Sequence, residues 1–335
     1  MKIGIVNDLE IAVEALSRAI GSAPEHQVVW IARNGAKAVE LCARQLPDLV
    51  LMDLVMPGVD GVEAIRRIMS ATPCAILVVT ATVSGQTGRV FKALGAGALD
   101  AVDTPVLAGP GAAEGTRSLL AKIAAIGKII HPPSERTRPP GTGTGPVGPW
   151  LFALGASAGG PTALTEVLGG FSCETPAAFV VIQHLDRKFA PALADWLGKQ
   201  ISLPVRLAHD GDVPTAGTVL LPDRDDHLIL SPRGALHYTA DPESYVYRPS
   251  VDAFFQSIAD HWRGNATGVV LTGMGRDGGK GLKKMREAGF ATIAQDQKSS
   301  AVYGMPKAAA LLGAAERILP LAEIGPALRQ QLGGS

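Results

Sequence analysis

Neither sign of charge dominates this sequence. Its 335 residues hold 31 Lys and Arg against 31 Asp and Glu, a formal net charge of zero. A chain without basic excess has no electrostatic drive toward nucleic acid or anionic membrane. Neither is expected as a partner. No apolar stretch approaches the roughly 20 residues that span a bilayer. The opening MKIGIVND also lacks the longer apolar core and small-residue cleavage site of a secretory signal. A cytoplasmic protein without direct membrane insertion is expected. Cysteine is scarce: Cys42, Cys74 and Cys173 are widely spaced and never form a CxxC pair. That spacing argues against a disulfide framework or a zinc module, and suits buried thiols in a reducing compartment.

What is present is the composition of a globular protein, 47% hydrophobic and 19% charged. Single cores usually stop growing well before this length, so two domains are expected. The run HPPSERTRPPGTGTGPVGP, residues 131–149, has almost nothing to bury and cannot offset its own ordering entropy. It reads as a linker between a domain over residues 1–130 and another over 150–335.

The first domain alternates short apolar runs with helical spacing. Ile3, Ile5 and Val6 begin it, and Leu9, Val13, Leu16 and Ile20 follow at helical intervals. VVWIA, LVLMD, AILVVT and ALDAV supply four further strands with helices between them. Five such strands predict a parallel sheet covered on both faces. Ligands of such sheets collect outside the carboxyl ends of the strands, where Asp8, Asp53 and Thr80 stand. Two carboxylates and a hydroxyl suit a magnesium ion and a phosphoryl group. The plainer alternative is that Asp8 caps the first helix and Thr80 merely ends a strand.

With MDLVMPGVDG around Asp53, these residues resemble the receiver domain of two-component response regulators, a flavodoxin-like fold, over residues 1–130. The resemblance implies that Asp53 accepts a phosphoryl group from a histidine kinase. It also implies that Asp8, Asp53 and the Val55 backbone carbonyl hold Mg2+, and that Thr80 contacts the phosphoryl oxygens. Two positions depart from the pattern. Receivers usually carry two adjacent acidic residues after the first strand, and here the pair is Asn7 and Asp8. Thr104 stands where a lysine normally precedes Pro105. Fewer charges at the site weaken metal binding and phosphoryl stabilisation.

In the second domain, Leu151 to Leu154 run into Gly155, Ala156, Ser157, Ala158, Gly159 and Gly160, with Pro161 suited to a first helical turn. This strand–turn–helix layout matches G-x-S-x-G, whose glycines allow a sharp turn that presents the serine. The helix start behind it favours developing negative charge. The rival meaning, a phosphate or dinucleotide loop, lacks both the G-x-G-x-x-G spacing and the P-loop lysine. Serine needs a base. His184 ends the apolar run AFVVIQ at the same sheet edge, whereas His209, His227, His237 and His261 read as residues of loops or helix faces. After the buried run Ala266 to Leu271, the turn Thr272 to Gly279 presents Asp277. It could orient His184 or cap the following helix, and spacing leaves both open. The order Ser, His, Asp differs from that of α/β-hydrolases. A doubly wound, mostly parallel α/β hydrolytic domain is expected.

GASAGG, VIQHL, RPSVDAFF and LTGMGRDG together resemble the catalytic domain of the CheB family, the protein-glutamate methylesterases and glutamine deamidases of bacterial chemosensory systems. The resemblance implies Ser157 as nucleophile, His184 as general base then acid, Asp277 as its orienting partner and the Met274 N–H as an oxyanion donor. It implies hydrolysis of chemoreceptor glutamyl methyl esters without a cofactor, so that Mg2+ belongs to the receiver alone. The implied partners are the cytoplasmic domains of methyl-accepting receptors and a CheA-type kinase, and the unphosphorylated receiver is expected to restrain the active site. VND and VDTP further resemble the Wsp-like surface-sensing branch. The rivals are a non-catalytic, phosphorylation-dependent adaptor, a nucleotide-binding output domain and a DNA-binding regulator. The absent lysine and the lack of a compact basic recognition helix disfavour the last two.

Overall fold

A computed structural model describes residues 1–81, 86–107, 111–130 and 149–333. It divides into two compact units, Met1–Pro133 and Ser134–Ser335, each considered by itself. Of the expected linker over 131–149, all but Pro149 lies outside the described residues.

The first unit alternates β1 (Lys2–Val6), α1 (Glu10–Gly21), β2 (Gln27–Ala32), α2 (Gly35–Arg44) and β3 (Leu49–Met52). It continues with α3 (Gly61–Ala71), β4 (Ala75–Thr80), α4 (Thr87–Gly95), β5 (Asp100–Asp103) and α5 (Ala112–Ile130). The five strands are parallel in the order β2-β1-β3-β4-β5. Every residue of β3 and β4 is buried, as helices on both faces of a parallel sheet require. The chain leaves β1 for β2 on one side and returns to β3 on the other. The carboxyl ends of β1 and β3 therefore flank the crevice where such sheets take ligands. Asn34 and Asp60 cap α2 and α3 by accepting the Lys37 and Glu63 N–H groups, each at 2.9 Å. The N-cap of helix α1 is instead Leu9, with no side-chain cap, so Asp8 does not perform the capping task open to it.

The second unit runs β6 (Trp150–Ala156), α6 (Gly160–Leu168), β7 (Ala177–Gln183), α7 (Ala190–Gly198), β8 (Val205–Leu207), β9 (Val219–Leu221) and the hairpin β10 (His227–Leu230) with β11 (Leu236–Thr239). Then come α8 (Val251–His261), β12 (Ala266–Val270), α9 (Gly279–Glu287), β13 (Ala291–Gln295), α10 (Met305–Leu311), β14 (Arg317–Leu319) and α11 (Leu321–Leu332). Seven strands form one sheet, β14-β13-β12-β6-β7-β9-β8, with parallel pairing throughout. The chain works outward from β6 through β7 and returns to β12 on its other side. The switch point thus lies between β6 and β12.

One core face buries Phe254, Phe255 and Ile258 of α8 against Leu151, Val180 and the hairpin residues Leu228 and Leu230. Each such side chain contributes roughly 1.5–3 kcal/mol on burial. The hairpin was not legible as strands: His227 and His237 lie on β10 and β11, not in loops or on helix faces. Each is four residues long and carries a histidine, so neither shows the unbroken apolar run that marks β3. Cys42 and Cys74 are buried as expected, but Cys173 is exposed. No helix among the described residues is long and apolar enough to cross a membrane.

Candidate active site

Register places the site. Ala156 pairs with Gln183 and Val270 with Gly155, so β12, β6 and β7 end side by side. Ser157, His184 and the Thr272–Gly279 turn leave those three ends, and all three expected residues converge there. Each is nearly inaccessible: Ser157 is 3% exposed, His184 8% and Asp277 7%. The serine is therefore recessed rather than displayed on the surface.

The elbow carrying Ser157 is held by its neighbours. Its N–H donates to the Thr272 carbonyl at 3.0 Å and its carbonyl accepts from Gly160 N–H at 2.8 Å. The Thr272 hydroxyl donates to the Ala158 carbonyl at 2.8 Å, and the Gln183 amide donates to the carbonyls of Ser157 and His184 at 2.9 and 3.1 Å. Gly159 has φ +82°, a left-handed conformation that favours glycine, and begins α6 with Pro161 in its first turn. Gly273 is required by crowding: a Cβ there would lie 2.8 Å from that of Ser157.

His184 Nε2 meets Asp277 Oδ2 at 2.7 Å, while its Nδ1 is buried without a hydrogen-bond partner. The ring nitrogen bonded to a carboxylate is the one that carries the proton in neutral imidazole, leaving Nδ1 as the basic atom. Asp277 accepts more than this one bond. Ser250 Oγ donates to its Oδ1 at 2.8 Å, the Asp252 N–H to Oδ1 at 3.0 Å and the Val251 N–H to Oδ2 at 2.7 Å. Orienting and capping are thus not alternatives: Asp277 does both, but the helix is α8, not α9. Burial by itself would raise its pKa. The His184 bond and charge and the α8 amides outweigh burial and hold the carboxyl below its usual range.

Asp252 reciprocates, accepting the Gly281 N–H in the first turn of α9 at 2.7 Å. Burial first, and then the charge of Asp277, push its pKa up to about 8. Burial and the neighbouring charge both disfavour the ionised form of Asp252, while the donors around Asp277 favour its ionised form. His227, kept below its usual pKa by burial, accepts the Ser250 N–H at Nδ1 (3.2 Å) and faces the Pro242 carbonyl through Nε2 at 3.3 Å. Tyr247 stacks on His184 with ring centroids 3.9 Å apart, and its hydroxyl donates to the Met274 carbonyl at 3.1 Å. Gln183, His227, Tyr247, Ser250 and Asp252 had no assigned role in the sequence reading. RPSVDAFF contained two of them, and its Ser-x-Asp at a helix start was the available signal.

In the first unit, Asp53 is buried and accepts the Leu54 and Val55 N–H groups at 2.7 and 3.3 Å. Burial outweighs those bonds and, with the nearby Asp8 charge, raises its pKa. Asp8 Oδ1 and Thr80 Oγ1 are buried without hydrogen-bond partners. Orphaned oxygens beside a carboxylate are the donors that a hard cation and a phosphoryl group would satisfy, so these residues fit Mg2+. Asn7 turns its amide oxygen to the Leu9 N–H at 2.9 Å and is engaged locally. No cluster of three or more His, Cys, Asp or Glu suited to a metal occurs among the described residues.

The chain is similar to known proteins over nearly its whole length. A family model described as CheB methylesterase matches residues 152–328, and one described as response regulator receiver domain matches residues 3–108. A Burkholderia orbicola (strain AU 1054) protein named protein-glutamate methylesterase/protein-glutamine glutaminase 3 is 57% identical over 329 residues, 98% of this chain and 97% of that protein. A Burkholderia thailandensis protein of the same name, numbered 4, is 56% identical over 330 residues, covering 98% and 96%. The crystal structure of the Thermotoga maritima CheB methylesterase catalytic domain aligns with a TM-score of 0.51 at 31% identity, covering 55% of this chain and 98% of that domain. This chain belongs to the CheB family of receiver-linked protein-glutamate methylesterases.

Proposed function

We propose that this chain is a phosphorylation-regulated protein-glutamate methylesterase that hydrolyses glutamyl methyl esters of chemoreceptors, releases methanol and deamidates receptor glutamines. The observation that carries this reading is the buried His184–Asp277 pair, which leaves Nδ1 unpartnered at the strand end beside Ser157. Nδ1 takes the Ser157 hydroxyl proton as Oγ attacks the ester carbonyl. The Met274 N–H stabilises the oxyanion. Collapse of the tetrahedral intermediate expels methanol, which receives the proton from His184. Water then attacks the acyl-enzyme with His184 again as base, and glutamate and free Ser157 result. Attack on a glutamine side-chain amide expels ammonia, protonated by His184, and leaves the same acyl-enzyme. The hydrolytic step uses no metal.

In the receiver, Asp53 is the phosphoacceptor, and Asp8, Asp53 and the Val55 carbonyl would hold Mg2+. The ion supplies charge neutralisation to the transferred phosphoryl group, and Thr80 donates to a phosphoryl oxygen. The working division is receiver 1–130, linker 131–149 and catalytic domain 150–335. The partners are a CheA-type kinase and the cytoplasmic domains of methyl-accepting receptors, in the cytoplasm, with no role for nucleic acid or membrane insertion. The Wsp-like branch remains a finer reading, carried by VND and VDTP alone.

Methanol release from methylated receptor membranes tests both halves, with and without a small-molecule phosphodonor and Mg2+. Wild type should be stimulated by phosphodonor, Asp53→Ala should not, and Ser157→Ala should be folded and inactive. Full methanol release by Ser157→Ala would remove the nucleophile assignment.

A further inference from the structure

Tyr247 touches two separate parts of the proposed catalytic apparatus. Its ring lies against the His184 imidazole with planes 11° apart and centroids 3.9 Å apart. Its hydroxyl donates to the carbonyl of Met274, at 3.1 Å. Burial, with the Asp277 charge adding to it, pushes the phenol pKa up, so the hydroxyl stays protonated and remains a donor.

The segment carrying Tyr247 is itself fastened. Three residues on, the Ser250 N–H is held by His227 and the Ser250 hydroxyl by Asp277. Tyr247 thus hangs from the same structure that orients the base.

A single hydrogen bond at Nε2 fixes one atom of the imidazole but leaves the ring able to tilt about it. A flat ring in face contact removes that tilt. It also offers a π face to the imidazolium that forms when Ser157 gives up its proton. At its other end the phenol holds the Met274 carbonyl, and so constrains the residue whose own N–H is proposed to meet the oxyanion. That N–H makes no hydrogen bond among the described residues.

We propose that Tyr247 is a positioning residue that keeps the plane of His184 and the oxyanion turn at Met274 in fixed relation. It touches neither the ester nor the attacking water. The inference rests on the hydrolase reading above and adds a residue to it.

The test uses the full chain with methylated receptor membranes, separating kcat from KM, with active enzyme counted by labelling with a fluorophosphonate. Tyr247→Phe keeps the stack and loses the bond to Met274, and kcat should fall by about 3- to 10-fold. Tyr247→Leu loses both, and kcat should fall by roughly 100-fold per labelled site. KM should stay within about twofold in both variants, since uniform substrate binding is untouched. A residue that only fills space would lower the number of labelled sites and the melting temperature without this kcat ordering. If Tyr247→Leu does not fold, Tyr247→Phe decides alone. Wild-type kcat in Tyr247→Phe and Tyr247→Leu, or a change confined to KM, overturns the proposal. Ser157→Ala in the same assay separates the two ideas. Its activity would refute the Ser157–His184 mechanism on which the inference rests, whereas an inactive Ser157→Ala beside unimpaired Tyr247 variants would refute the positioning role alone.

Discussion

Asp53 and Asp277 invite comparison because both are buried carboxylates at the carboxyl edge of a parallel sheet with a second acidic residue close by. Among the described residues Asp53 has two donors, both backbone amides of the next two residues, and burial leaves its pKa raised. Its neighbours Asp8 and Thr80 each bury an oxygen with no partner. Asp277 collects donors from His184, Ser250, Val251 and Asp252, and is held ionised despite deeper burial. Its acidic neighbour Asp252 is pushed the other way, toward the neutral form, by burial and by the Asp277 charge. The receiver site is thus completed by what binds it, while in the hydrolytic site the orienting carboxylate is satisfied before substrate arrives and only the reacting side, His184 Nδ1, is left open. Preorganised donors cost no reorganisation at the moment of reaction. Unsatisfied oxygens make a site responsive to a ligand instead.

Breaking the satisfied carboxylate should have the largest effect. Asp277→Asn replaces an ionised acceptor of four hydrogen bonds with a neutral amide and removes the preference for a proton on Nε2. We expect kcat to fall by roughly 10^3-fold or more, read as methanol release. Loss of stability, on the order of 3 kcal/mol, should appear in denaturant unfolding of the catalytic unit, since a paired buried charge has been broken.

Asp252→Asn probes the neighbour that is pushed toward the neutral form. A carboxyl near pKa 8 when folded and about 3.9 when unfolded binds more protons in the folded state between those values. Its contribution to stability is therefore most favourable below about pH 4, declines as pH rises through that window and is flat above about pH 8. Asparagine still accepts the Gly281 N–H but cannot ionise. The variant should lose less stability than wild type between pH 5 and 8, by an amount on the order of 2 kcal/mol or more. Identical pH dependence in urea titrations of the two proteins would place the proton elsewhere.

In the ligand-completed site the expected change is smaller. Thr104 follows β5, and its N–H donates to the Thr80 carbonyl at 2.9 Å, so residue 104 is tied beside the orphaned Thr80 hydroxyl. Thr104→Lys should add a charge-assisted hydrogen bond to the phosphoryl group. The phosphorylated-to-unphosphorylated ratio at limiting phosphodonor should rise by roughly tenfold, measured by mobility shift of the phosphoprotein. An unchanged ratio would show that the site does not lack a cation.

The elements that strand runs and turn chemistry announce were legible. AILVVT and AFVVIQ became β4 and β7 within one residue, and GASAGG gave the elbow before α6. Ser157, His184 and Asp277 could be selected because each follows a buried strand. The β10–β11 hairpin could not, being two strands of four residues that lie outside the seven-stranded sheet. Nor could the partners of Asp277 around the start of α8, which are 25 to 27 residues away, whereas His184, 93 residues away, was an expected partner. Spacing left open that Asp277 caps α9, the helix that follows it, whereas its carboxylate reaches the start of α8.

By itself the sequence determined the two α/β units, the strand ends that carry chemistry and the identity of the nucleophile candidate, because strand period and turn residues act over a few positions. The tertiary structure alone decided which imidazole nitrogen is free, which of two buried carboxylates collects the donors and which aromatic ring lies against the base. Those properties depend on distances of about 3 Å between groups far apart in the chain, where burial multiplies the weight of every charge and hydrogen bond.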